Sequence, residues 1–154
     1  MQWKSKDIEV YLEEKEYIDT AVVPLIPISL GRSMKQTVEQ GEFIQLLSLH
    51  LERQFKGRML FLPAYTYLSD NGESKKFGDL LEWEKMIKES GFKYVFFLTS
   101  DPIWRNMEGF ASESLLFIPS IPLNNMDDQY KQSIMEDQVK QLMKEIVKGW
   151  QATY

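Results

Sequence analysis

The groups able to do polar chemistry gather in two short stretches. Ser29, Gly31, Arg32, Ser33, Lys35 and Thr37 follow an apolar run and precede an amphipathic one. Small hydroxyls, a flexible glycine and two cations at a helix start can hold a phosphate through backbone N–H groups and the helix dipole. The stretch has neither G-x-G-x-x-G nor G-x-x-x-x-G-K-[ST] spacing. Its plainer reading is a solvated loop with Ser33 or Thr37 as a helix N-cap. The second stretch is Thr99, Ser100 and Asp101, followed by Trp104 and Arg105. Two hydroxyls and a carboxylate at a strand end could bind a ribose or position a water, with Arg105 meeting an acidic ligand and Trp104 stacking. The plainer reading makes Asp101 the cap of a turn opened by Pro102, and Trp104 a cover over the sheet.

Composition removes much else. The 154 residues include no cysteine and one histidine, His50. Thiol catalysis, disulfides and cysteine-based metal sites are therefore excluded. His50 lies mid-helix between Leu49 and Leu51 and reads as structural. Eighteen basic against 23 acidic residues give a net charge of −5, which argues against nucleic acid or anionic lipid as a partner. Ser69-Asp70-Asn71-Gly72-Glu73 is rich in oxygen but lacks calcium-loop spacing. Glu13, Glu14 and Glu16, and Glu82 with Glu84, read as solvated helix faces. No cofactor and no metal are expected.

The elements that must position these groups alternate. Ile8, Tyr11, Leu12, Tyr17 and Ile18 mark a helix over 5–18, with Ser5 or Asp7 as its cap. TAVVPLIPIS (20–29) reads as a buried strand. A loop (30–37), a helix around 43–55, a strand over 58–68 and a turn over 69–72 follow. Leu80, Trp83 and Ile87 mark a helix ending at Gly91. Strands at 92–99 and 114–118 bracket a short helix from Asp101 to Gly109, and a long helix covers 125–150. Met135 lies off the main stripe of that last helix, and core filling is its plainer role.

This order implies right-handed crossovers and a single three-layer α/β/α domain over 1–154. Its sheet is mainly parallel, of about four strands, Rossmann-like or anticodon-binding-like. Ligands would then bind at the carboxyl edge, in the loops 29–37, 65–79, 99–109 and 119–126. Pro24 conflicts with that plan, because a proline inside a strand favours an edge and this topology puts the first strand in the middle. The early lysines have acids behind them rather than an apolar run, so no signal peptide is expected. The longest apolar runs fall short of the roughly 20 residues that span a bilayer, and a cytoplasmic protein is expected.

Trp3-Lys4-Ser5-Lys6-Asp7-Ile8 and the run from Tyr17 through Val22-Val23-Pro24-Leu25-Ile26-Pro27 resemble the YpiF-like family of short proteins from Bacillus-type bacteria. The resemblance runs over nearly the whole chain and brings no catalytic residue with it. It implies at most a link to expression or assembly of a respiratory complex. The run 21–27 and the segment 43–63 are also similar, topologically, to TolB amino-terminal and anticodon-binding-like domains. That similarity favours protein interaction over catalysis. The leading expectation is a non-catalytic module that binds a protein partner through the last helix or through the sheet edge holding the prolines. The alternative is a module for a nucleotide or other phosphorylated small molecule, held by Gly31, Arg32, Ser33, Lys35, Ser100, Asp101 and Arg105. A hydrolase using the same groups ranks third, with Asp101 as its one base.

Overall fold

The computed structural model describes residues 1–69, 73–106 and 114–152. The strands are β1 (Thr20–Ile28), β2 (Met59–Phe61), β3 (Tyr65–Leu68), β4 (Tyr94–Thr99) and β5 (Leu115–Phe117). The helices are α1 (Ser5–Glu13), α2 (Met34–Gln54), α3 (Glu73–Glu89) and α4 (Asp128–Gln151). Every recorded strand pair is parallel, and the order is β2–β1–β4–β5 with β3 also on β1. The expected α/β architecture with a mainly parallel sheet is therefore present.

The handedness of crossovers explains the layers. From β1 the chain steps one way to β2 through α2, then back across β1 to β4 through α3. A right-handed crossover places helices of opposite steps on opposite faces. Alternation along the strands serves both faces. Val22, Phe96 and Leu98 pack with Phe43, Leu47 and Met135, on the side of α2 and α4. Val23, Leu25, Val95 and Phe97 pack with Leu80 and Trp104, on the side of α3. Ile18, Ala21, Leu60 and Phe92 extend that second face towards Ile8 and Tyr11 of α1. Each such buried Leu or Phe stabilises by about 1.5–3 kcal/mol. Met135, off the apparent stripe of its helix, is fully buried in the first cluster.

The strand expected over 58–68 is broken. β2 pairs with Thr20–Val22 and β3 with Leu25–Ile28, so the two are halves of one strand parted at Leu62-Pro63-Ala64. The same break resolves Pro24. The carbonyls of Val22 and Ile28 accept from the N–H groups of Leu62 and Ser69. In a parallel strand, backbone groups alternate sides, so even-numbered residues of β1 face β2 and β3. Pro24 thus turns its missing donor to the gap at 62–64, between the last pair of β2 (Val22 with Phe61) and the first pair of β3 (Leu25 with Tyr65). A central strand tolerates this proline because its neighbour is interrupted beside it.

Other boundaries shift for local reasons. The first helix stops at Glu13, and a 3₁₀ turn (Lys15–Tyr17) follows. Neither Ser5 nor Asp7 caps it; Lys4 is the N-cap residue, and the Asp7 carboxylate accepts from the Gln2 N–H at 2.8 Å. α2 begins inside the expected loop 30–37. It approaches β1 closely at Gly41, where an added Cβ would lie 3.2 Å from a methyl of Ile26. Gly91 ends the α3 region at φ +120°, as its expected C′ role requires. The 3₁₀ turn after β4 covers Pro102–Asn106. Gly109, its expected stop, and most of the turn at 69–72 lie outside the described residues.

Candidate functional site

At the carboxyl edge, Gly31, Arg32, Ser33 and Lys35 are all exposed. Ser33 is the N-cap residue of α2 but makes no side-chain cap bond. Thr37 is buried and ties the loop to the helix: its hydroxyl accepts from the Ser29 N–H at 3.3 Å and donates to the Met34 carbonyl at 2.9 Å. The surroundings of this loop are apolar. Leu30 is 75% exposed, and Met34, Val38, Ile28 and Leu68 are exposed as well.

The second predicted group is engaged in the fold. The Asp101 carboxylate accepts from the Tyr67 hydroxyl at 2.7 Å and from the Ile103 N–H at 3.2 Å, the latter being the capping bond expected of it. The Trp104 indole N–H donates to the same Tyr67 oxygen at 2.9 Å, and Trp104 is fully buried. Burial first, and then the Asp101 carboxylate, hold the Tyr67 phenol well above its ordinary range. The Lys76 ammonium, itself buried, stands 5.4 Å from the Tyr67 ring centre and donates to the Ser69 carbonyl. Ser100 is buried, and its hydroxyl has no hydrogen-bond partner among the described residues. The Gln40 amide reaches the Ser100 carbonyl at 3.5 Å, linking α2 to the end of β4. Arg105 is exposed and lies over the Phe117 ring at 4.9 Å, beside β5. Ser100 and Asp101 are thus close to α2 and β3, whereas Arg105 is turned to the β5 edge. His50 is partly exposed between α2 and α4; burial and Arg53 lower its pKa.

Two apolar grooves lie elsewhere, along the opposite edge of the sheet. One, of about 430 Å³, is bordered by Trp3, Pro24, Leu49, Leu62, Pro63 and Ala64. The break in the ladder opens it: where β2 and β3 part, no strand fills the space beside Pro24. The other, of about 410 Å³, runs between α1 and α3, with Leu12, Met86 and Phe92 on its walls. Trp3 and Leu62 border both. Backbone bonds from Met1 to Met59 and from Phe61 to Met1 bring the amino-terminal residues along β2 and hold Trp3 there, 57% exposed. Leu12, Leu49 and Met86 are 58%, 44% and 63% exposed.

In the sequence this edge is only partly legible: its prolines mark it, but Leu12 has the spacing of a helix face and no local pattern sets Trp3, Leu49 and Met86 apart as surface. The available signal was the acidic residues interleaved with apolar ones in 9–17, which leave α1 without a single buried residue. Among the described residues, no group of three or more His, Asp or Glu could hold a metal, and no helix is long and apolar enough to cross a membrane.

A family profile described as "Protein of unknown function (DUF2487)" matches residues 9–150. A Bacillus subtilis (strain 168) relative called "Uncharacterized protein YpiF" is 39% identical over 150 residues, covering 97% of this chain and 98% of its own. No solved structure matches.

Proposed function

We propose, for a chain that belongs to the DUF2487 family, the role of a non-catalytic interaction module that docks a protein partner on the sheet edge around Trp3. The observation carrying this reading is the concentration of exposed apolar side chains there. Trp3, Leu12, Leu49 and Met86 border two adjoining grooves instead of being scattered singly. Contiguous apolar surface with concave relief favours protein contact, and an exposed aromatic at its centre suits a binding hot spot. The reading treats residues 1–154 as one cytoplasmic domain. Of the two expected contact surfaces, the last helix and the proline-bearing edge, this reading takes the second.

A photo-crosslinking residue at Leu49 or Met86 tests the proposal in cells. Both positions should capture one partner, Trp3→Ser should abolish the capture, and the same residue at Ser133 on α4 should not capture it. Equal capture from Ser133, or capture unaffected by Trp3→Ser, would refute the docking surface.

A second reading is a phosphorylated small molecule at the carboxyl edge. The parallel strand order β2–β1–β4–β5 supports it, since the direction of the chain's steps reverses between β1 and β4. The unpartnered Ser100 hydroxyl is the observation in its favour. The engagement of both Asp101 oxygens within the fold places it second.

A further inference from the structure

β5 (Leu115–Phe117) is the last strand of the sheet, at the far end from Trp3. Its backbone faces two ways. The Ile118 N–H donates to the Thr99 carbonyl, and the register sets Thr99 opposite Phe117. Backbone groups alternate sides along a parallel strand, so Leu116 and Ile118 serve β4, and Leu115 and Phe117 turn theirs outward. Among the described residues, no strand lies on that outer side. The other end of the sheet differs, because Met1 exchanges backbone bonds with Met59 and Phe61 of β2. A cleft of about 450 Å³ follows the outer side of β5, bordered by all three residues of the strand. Arg105 stands on one face of the sheet, over the Phe117 ring, and Gln141, Lys144 and Glu145 of α4 stand on the other. Arg105 and Lys144 are exposed, and neither is in an ion pair among the described residues. The acid on the cleft wall, Glu145, is paired with Lys148 at 3.2 Å. The charge left without a partner along this edge is therefore positive.

From this arrangement we infer that the β5 edge takes an extended acidic segment of a partner protein as an added strand. Such a strand lies about 4.8 Å from its neighbour and bonds to the outward N–H and C=O groups of Leu115 and Phe117. Successive side chains of a strand point to opposite faces, so two consecutive acids would meet Arg105 on one face and Lys144 on the other. Pro119 has no N–H to offer and ends the free ladder, which confines the pairing to a short segment. A second copy of this chain is the poorer occupant. Two β5 edges related by a two-fold axis would bring Arg105 and Lys144 of each copy towards those of the other, and like charges across an interface are disfavoured. The surface is separate from the one around Trp3, and the inference stands without it.

The test uses the full chain and an end-capped peptide of about eight residues, with Glu-Glu at its centre and valine and threonine around it, and a Lys-Lys counterpart. At saturating acidic peptide, hydrogen exchange at the Leu115 and Phe117 amides should slow by about tenfold or more, while Leu116, already bonded to β4, changes little. N-methylation of alternate peptide residues should abolish binding in one parity and spare it in the other, because only one set of peptide N–H groups faces β5. The combined variant Arg105→Gln and Lys144→Gln should bind the acidic peptide about tenfold more weakly. Both are exposed positions, so an unchanged circular dichroism melt checks that the fold is intact. Trp3→Ser should leave peptide binding unchanged.

No binding of the acidic peptide, equal affinity for the Lys-Lys peptide, or equal tolerance of the two N-methylated sets overturns the inference. Peptide binding lost in Trp3→Ser would also overturn it, by moving the peptide to the other edge. So would protection of Leu115 and Phe117 that rises with protein concentration in the absence of peptide, which would make a second copy the occupant.

Discussion

Replacing Tyr67 with phenylalanine asks whether Asp101 is a structural acceptor or a group held ready for a ligand. The substitution deletes one oxygen and leaves the ring. Two bonds go with it: the 2.7 Å donation to Asp101 and the 2.9 Å acceptance from the Trp104 indole. A hydrogen bond to a charged group contributes about 1.5–3 kcal/mol, and the lower end applies here because Asp101 is only half-buried and can rebind water. The indole N–H has no such recourse. Trp104 is fully buried, so its orphaned donor costs about 1–3 kcal/mol. Tyr67→Phe should therefore destabilise by about 3 kcal/mol, read from the urea midpoint at constant m-value. Tyr65→Phe is the internal control. Its hydroxyl donates to Asp79 from a half-exposed position, so its loss should be about 1 kcal/mol or less.

The same variant has a signature in pH. Burial, and then Asp101, raise the Tyr67 phenol; burial and Asp79 raise Tyr65 to about 12. An unfolded tyrosine releases its proton near pH 10. Below that pH both states hold the proton and stability does not depend on these groups. Above it the unfolded chain binds fewer protons than the folded one, so stability falls as pH rises. Between pH 10 and 12 the buried Tyr67 contributes a slope approaching 1.4 kcal/mol per pH unit, as an order of magnitude, and the more exposed Tyr65 contributes less because solvent screens it. Tyr67→Phe should be less stable at pH 7 and should lose about one proton's worth of that alkaline slope. A loss under about 1 kcal/mol at pH 7, or an unchanged slope, would refute the assigned network.

Pro24→Ala should change stability by no more than about 1 kcal/mol, since the restored N–H faces the gap at 62–64. Val23→Pro should cost about 3 kcal/mol or more, because odd-numbered residues of β1 face the continuous β4 ladder. Chemical denaturation of the two variants side by side checks the parity argument, and equal losses would overturn it. Arg32→Ala and Lys35→Ala should leave stability within about 0.5 kcal/mol, as exposed positions do. A thermal-shift panel of nucleotides and phosphorylated metabolites separates the two functional readings. A ligand at a hundred times its Kd should stabilise by roughly 2.7 kcal/mol. A hit lost in Arg32→Ala would move the ligand site ahead of the protein partner.

The core was legible where periodicity is strong. The β-branched run 20–28, the stripe from Val139 to Ile146 and the apolar run 94–99 each bury one or two faces, and their spacing alone says so. Gly91 was legible because a positive φ leaves few alternatives. Tyr17 and Leu12 misled, since apolar residues at helical spacing imply a buried face, yet the helix stops at Glu13 and leaves both exposed. The Asp101 capping bond followed from local chemistry. Its bond to Tyr67 joins residues 34 apart and could not be read from neighbours.

Sequence by itself determined the alternation of strands and helices, the parallel sheet that alternation requires, and the poverty of catalytic groups. These depend on side-chain type and short-range spacing. Tertiary structure decided which strand lies beside Pro24, and so whether that proline was a defect or harmless. It also decided that Trp3, Leu49, Leu12 and Met86 share one edge. Their positions span residues 3 to 86, and only the pairing of β2 and β3 on the same flank of β1, with its break at Pro63, brings them together. Strand pairing is a long-range choice made by burial on both faces of the sheet, and no local pattern encodes it.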